Sequence, residues 1–215
     1  MKKLLFFLFF MGGLIFFGCS HEDNSVVSPV TQDKSVAEKP AWLKAAEDQG
    51  LTLLTLPPNT EKSLQKRTST TKYVQYDKWS FLSISDKYRS GRQFVIVLAS
   101  LTIRPYSLES NQWISMGFTD DYLVTDVNVQ LGPVDMSFGP NGTDFLKPAL
   151  LNVVAYGLDL SAWSQDDNIQ LACYNESTER WEIVPAARII FNVRLGYLQC
   201  VNGELSHFSR YGFVK

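Results

Sequence analysis

The chain has 215 residues, with 20 Lys and Arg against 22 Asp and Glu, two His and 45% hydrophobic side chains. That length allows one ordinary domain with extensions, or at most two small ones. A net charge of −2 argues against nucleic-acid binding, which depends on clustered positive charge, and the apolar content is too high for a disordered chain.

Residues 1–18 read as an address. Lys2 and Lys3 precede an apolar run from Leu4 to Phe17, and Gly18-Cys19 follows. A charged start, an apolar middle and a small residue before the cut is the order of a secretory signal. The run is shorter than the ~20 residues a spanning helix needs. Without the two lysines, 18 basic side chains face 22 acidic ones, so the processed product is more acidic. Cys19, in the position after the cut, resembles the lipobox cysteine of bacterial lipoproteins. That resemblance implies cleavage of 1–18, a lipid on the Cys19 thiol and anchoring in the cell envelope. Acyl chains contribute ~0.8 kcal/mol per buried CH₂, and two or three make such anchoring essentially permanent. Ser20 resembles the sorting position of lipoproteins sent to an outer membrane, and His21-Glu22-Asp23 resembles acidic surface-export signals. The expected address is therefore an outer membrane, on its periplasmic or surface face.

Residues 19–72 read as the lipidated cysteine and a tether containing a short helix. Positions 20–40 are rich in Ser, Asp, Glu, Val and Pro and show no period. Pro40 then opens Ala41–Asp48 and Gly50 closes it, which predicts one or two helical turns. Leu51 to Leu56 alternates loosely before Pro57-Pro58. Lys62 to Lys72 holds four basic residues among Ser and Thr and reads as a solvated linker, with anionic headgroups as the rival partner.

From Tyr73 to the end, short β-type runs alternate with turns. Gln93–Arg104, Trp113–Phe118, Val127–Leu131, Val134–Phe138, Leu150–Val154, Ile169–Tyr174, Arg180–Val184, Arg188–Leu195 and Glu204–Phe208 are the expected strands. Gly, Pro and Asn break the chain between them, the spacing of an antiparallel sandwich or barrel and not of βαβ units. Residues 73–215 are enough to bury a two-sheet core.

Three segments carry a family resemblance. The first is Leu101-Thr102-Ile103-Arg104-Pro105-Tyr106-Ser107-Leu108 with Trp113-Ile114-Ser115-Met116. The second runs Val134-Asp135-Met136-Ser137-Phe138-Gly139-Pro140-Asn141-Gly142-Thr143-Asp144-Phe145-Leu146-Lys147-Pro148-Ala149-Leu150, and the third is His207-Phe208-Ser209-Arg210-Tyr211. In this order, over residues 90 to 215, they resemble the ZU-five domain and its bacterial relatives. The resemblance implies an all-β, antiparallel β-sandwich and a protein-interaction role, as in animal scaffolds and receptor tails; the bacterial relatives sit on secreted or surface proteins.

Chemistry has little to use. In Phe138-Gly139-Pro140-Asn141-Gly142-Thr143, proline presets the second position of a β-turn and Asn-Gly closes it, leaving Phe138 and Phe145 for the core. A phosphate cradle wants Lys-Ser/Thr and a helix start after the loop, and Asp144 and Pro148 follow instead. His207 is the only histidine in the β-region and there is no HExxH or GxSxG. Asp120-Asp121 and Asp166-Asp167-Asn168 lack calcium-loop spacing and read as solvated turns. No metal and no cofactor is expected. Cys173 and Cys200 are either a disulfide or two buried free thiols. Trp79, Trp113, Trp163 and Trp181 are either core or glycan-stacking platforms, and Trp181, between Arg180 and Glu182 after a polar turn, is the candidate platform.

His207-Phe208-Ser209 is the one place for catalysis. In self-cleaving death-domain and nucleoporin proteins this tripeptide is cut between Phe and Ser: the serine hydroxyl attacks the preceding carbonyl, the histidine acts as base and water hydrolyses the ester. The plainer reading is a closing strand. Tyr211 and Phe213 share the parity of His207, so the apolar phase slips near Ser209-Arg210, as a bulge would make it do. The expectation is a non-enzymatic, membrane-anchored interaction or structural module whose partner is an envelope protein or a glycan, with carbohydrate binding and self-cleavage as alternatives.

Overall fold

Pro40 and Gly50 bound the first described element, as their places in the sequence predict. In the computed structural model, which describes residues 39–57, 68–118, 132–133 and 136–215, α1 spans Ala41–Asp48. It ends with Leu51 N–H on Ala46 O (2.8 Å) and Gly50 N–H on Glu47 O (3.0 Å). That double closure needs a left-handed residue just past the helix, and Gly50 supplies it with φ +69°. Trp42, Ala45 and Ala46, three and four apart, form the buried face. The signal segment 1–18, Cys19, the tether to residue 38, Lys62, Lys66, Arg67, Asp120-Asp121 and the expected strand Val127–Leu131 lie outside the described residues.

Thirteen described strands follow. They are β1 (Thr55–Leu56), β2 (Ser69–Val74), β3 (Ser80–Ser90), β4 (Gln93–Ile103), β5 (Gln112–Phe118), β6 (Gly132–Pro133), β7 (Met136–Gly139), β8 (Asp144–Tyr156), β9 (Gln170–Asn175), β10 (Arg180–Val184), β11 (Ala186–Asn192), β12 (Tyr197–His207) and β13 (Arg210–Val214). One sheet has six strands in the order β10-β9-β13-β7-β5-β2, the other five in the order β11-β12-β8-β4-β3, and β1 pairs with β6. All pairings are antiparallel. The fold is an all-β sandwich. Strict alternation on β4 and β8 turns Val95, Val97, Ala99, Leu101, Ala149, Leu151, Val153 and Ala155 into the core.

Several local expectations need correction. β3 was not expected, because Ser80 and Asp86 stand on its inward side and Phe81 on its outward side, which blurs the alternation. β8 runs through Pro148. Its pairing with β12 is irregular between Leu205 and His207, where a residue without an N–H is tolerated. Residues 39–57 belong with the sandwich and not with a tether, since α1 packs on β9 and β10 and β1 pairs with β6. Thr52 and Lys215 exchange backbone hydrogen bonds (3.0 and 3.1 Å), and Leu54 and Leu56 are buried in the main core. The domain thus starts well before residue 73.

The phase slip near Ser209 is a change of sheet and not a bulge. β12 ends at His207 in the five-stranded sheet and β13 begins at Arg210 in the six-stranded one. Phe208, at the crossing, is fully buried, stacked on Phe138 (5.5 Å) and edge-on to Phe145 (4.8 Å). The Tyr211 hydroxyl ties the corner by donating to His207 O at 2.5 Å.

Candidate functional site

Register sets one outward row across the whole six-stranded sheet. Trp181 faces Tyr174, Tyr174 faces Arg210, Arg210 faces Ser137, Ser137 faces Gly117 and Gly117 faces Ser69. Directly opposed residues share a face, so these six positions line the sheet's outer surface. Their environments differ from one end to the other.

Helix α1 covers the β10-β9-β13 end. Trp42, Ala45 and Ala46 pack with Ala172, Tyr174, Trp181 and Val214 into a second small core. The Trp181 indole N–H donates to Trp42 O at 2.8 Å. The Gln49 side chain accepts from Trp181 N–H (2.7 Å) and donates to Trp181 O (3.0 Å). Trp181 is only 4% exposed. It is therefore not an aromatic platform: the polar turn before it predicted solvent, and a helix 139 residues upstream excludes it. The Arg210 guanidinium lies 4.8 Å from the Trp42 ring and marks the helix's border.

Past Arg210 the face is open. A second row joins Gly139, Ser115 and Thr71, and a third joins Trp113 and Tyr73. Their inward neighbours Ile114, Met116, Phe138 and Val74 are buried, which fixes the outer row in place. Trp113 is 63% and Tyr73 46% exposed, with ring centroids 5.4 Å apart and planes at 58°. No described residue hydrogen-bonds the hydroxyls of Ser69, Thr71, Ser115 or Ser137. Two glycines keep the floor low. A Cβ on Gly139 would stand 2.6 Å from the Ser115 hydroxyl, and one on Gly117 3.1 Å from Ser69 Cβ.

No family model, no curated protein and no solved structure matches the chain. The site rests on its own geometry.

More rings stand near this end of the sandwich. Tyr76 and Tyr106 meet edge-on at 5.9 Å, and Tyr106 holds φ +61° while its N–H donates to Tyr76 O at 2.6 Å. Trp79 and Phe81, both exposed, lie nearly parallel at 6.4 Å. Of the four tryptophans in the β-region, Trp79 and Trp113 face solvent, while Trp163 and Trp181 are buried. Sequence alone favoured Trp181 over Trp113. The signal that finds Trp113 is its strand parity: Ile114, Met116 and Phe118 are the apolar set, which leaves Trp113 on the opposite face.

The remaining candidates are engaged elsewhere. The Ser209 hydroxyl donates to Tyr174 O at 2.5 Å, the His207 ring lies 3.2 Å from Ser206 Oγ, and Phe208 O accepts from Gly142 N–H at 3.2 Å. Base and nucleophile are thus not joined, as an acyl shift requires. Phe138 and Phe145 are core residues as expected. Pro140 takes the first position of its turn and not the second, because Thr143 N–H bonds Pro140 O (3.2 Å). Cys173 and Cys200 are free buried thiols, one on each sheet. Burial pushes both up to about 11, with the Glu182 carboxylate adding to the effect at Cys173. Asp167 accepts from Lys215 Nζ (2.7 Å) and Ser164 N–H (2.7 Å); the lysine hydrogen bond, then the backbone one, holds its carboxyl below the usual range. Among the described residues no three His, Cys, Asp or Glu cluster as metal ligands, and no helix is long and apolar enough to cross a membrane.

Proposed function

We propose that the chain is a lipid-anchored extracytoplasmic protein, tethered through Cys19, whose β-sandwich works by binding and not by catalysis. The binding surface is the open half of the six-stranded sheet. One observation carries this: the sheet's outer face is sealed by α1 at one end, while at the other Trp113 and Tyr73 face solvent above hydroxyls that no described residue engages. Large exposed aromatics beside unpaired polar groups are the usual makings of a recognition site. The order of the first nineteen residues supports the lipid anchor, and the three sequence segments support a ZU-five-like domain.

Sedimentation with cell envelopes stripped of lipid by detergent tests the binding surface apart from the anchor. The wild-type protein should sediment with the envelopes and a Tyr73→Ser/Trp113→Ser variant should stay in solution, while Trp79→Ser/Phe81→Ser behaves as wild type. Equal sedimentation of all three removes the open face as the binding surface. Cys19→Ser should separately release the protein from intact membranes, and retention would count against the lipid.

A further inference from the structure

We infer that the open half takes a neutral carbohydrate, with the Trp113 ring stacked on the apolar face of a sugar and the serine and threonine hydroxyls bonded to its rim. The inference rests on the open half being the binding surface. It goes further by naming the ligand from the charge and donor chemistry of that surface.

Charge is the first argument. The eight outward positions of β2, β5 and β7 are Ser69, Thr71, Tyr73, Trp113, Ser115, Gly117, Ser137 and Gly139. None is charged, in a chain that carries 20 basic and 22 acidic residues. The other sheet's outer face differs: there Lys87 and Arg89 flank the Phe94 ring at 5.9 and 4.4 Å. At these eight positions an anionic or cationic ligand would find no counter-charge; Arg210, opposite Ser137 at the border, lies against the Trp42 ring. A neutral one loses nothing there.

Donor chemistry is the second. A hydroxyl donates one hydrogen bond and accepts two, so the four open hydroxyls complement a polyol, which has the same mixed character at every ring carbon. Residues two apart on a strand stand about 7 Å from each other. Trp113 and Ser115 are so spaced, and a stacked sugar can reach the hydroxyl row from the ring. Glycines at 117 and 139 let that ligand approach the sheet, since a side chain at 139 would crowd the Ser115 hydroxyl. The Tyr73 ring, 5.4 Å from Trp113 and tilted 58° to it, stands beside the stacked sugar.

A protein partner fits less well. Specific protein interfaces bury about 800 Å² per side around an apolar core. On this sheet face two rings give way at once to hydroxyls and glycines, and the other exposed rings nearby, Tyr76, Trp79, Phe81 and Tyr106, belong to loops or to the other sheet.

The experiment uses purified full-length protein and the same lipid-stripped envelopes, one portion oxidised with mild periodate, which cleaves vicinal diols, and another digested with protease. Carbohydrate recognition predicts that periodate abolishes sedimentation and protease does not. Trp113→Ala should weaken binding to the untreated envelopes at least about tenfold. Gly139→Ala, whose Cβ crowds only the Ser115 hydroxyl, should weaken it too, with the circular dichroism spectrum of the folded protein retained. Binding that survives periodate, is lost to protease and still needs Trp113 overturns the carbohydrate and leaves the open half as a protein-binding surface. Binding indifferent to Tyr73 and Trp113, or no binding by wild type, overturns both.

Discussion

Trp181 and Trp113 stand on the same face of the same sheet, four strands apart, and one is 4% exposed where the other is 63%. Their sheet positions are equivalent. The difference lies in what the rest of the chain brings to them. α1 delivers Trp42 and Gln49 onto Trp181, and no described element is laid over Trp113. A sheet face in a sandwich needs cover only where its side chains are large and continuous, and at β10-β9-β13 they are: Trp181, Tyr174 and Val214 in contact. At β7-β5-β2 the outward set shrinks to serines, a threonine and glycines, so the pair Trp113 and Tyr73 is left as an island. One half is built as a core and the other as a surface.

Exchanging tryptophan for alanine in each half gives the sharpest contrast. Trp181→Ala should cost about 3–5 kcal/mol, the usual range for a buried Trp, because it empties the small core and removes the indole hydrogen bond to Trp42 O. Trp113→Ala should stay within about 0.5 kcal/mol. Urea denaturation followed by circular dichroism reads both, and equal losses would erase the distinction.

Gln49→Ala probes the seal more gently. It removes two hydrogen bonds to the Trp181 backbone, worth about 1–3 kcal/mol where the partners stay buried. The same measurement should show that loss with the open-face residues untouched. A neutral outcome would mean that α1 is held by its apolar contacts alone.

The two thiols report how dry the interior beneath these faces is. At pH values below the ordinary thiol value of 9.0 they are protonated whether the chain is folded or not. Between 9.0 and about 11 the unfolded chain releases protons that the folded chain keeps. Stability should therefore fall as pH rises through that window, and the raised Tyr211 hydroxyl pushes the same way at the alkaline end. Cys200→Ala should flatten the urea midpoint between pH 9 and 11; an unchanged slope would place the titration elsewhere.

Gly139→Ala is the smallest step. Its Cβ meets only the tip of Ser115, which can rotate away, so stability should move by less than about 1 kcal/mol while affinity for the envelope falls. Unchanged affinity would argue that the floor is not in contact with the ligand.

Much of the fold was legible from residues alone. Arg180–Val184 was placed to the residue, β4 followed from its Val, Ile and Leu content, β5 from its alternation, and the Pro40-to-Gly50 helix from its boundaries. What escaped has a common physical cause, which is long range. β3 hides behind Ser80 and Asp86 on its inward side. The crossing at Phe208-Ser209 resembles a bulge because a strand that changes sheets also changes the face its next residue presents. Trp181 looked exposed because nothing near it in sequence announces α1. The HFS tripeptide named three residues, but the partners of Ser209 and His207 are Tyr174 and Ser206, and only folding selects them.

The division of the sheet into a sealed half and a working half is tested most directly by hydroxyl-radical footprinting, read residue by residue by mass spectrometry, on purified protein and on the same protein bound to its native envelope. Purified, Trp113 and Tyr73 should oxidise readily while Trp181, Trp42 and Tyr174 are protected; in the envelope, protection should spread to Trp113 and Tyr73 and leave Trp79 labelled. Oxidation of Trp181 as fast as Trp113, or no change at Trp113 between the two samples, would contradict the account.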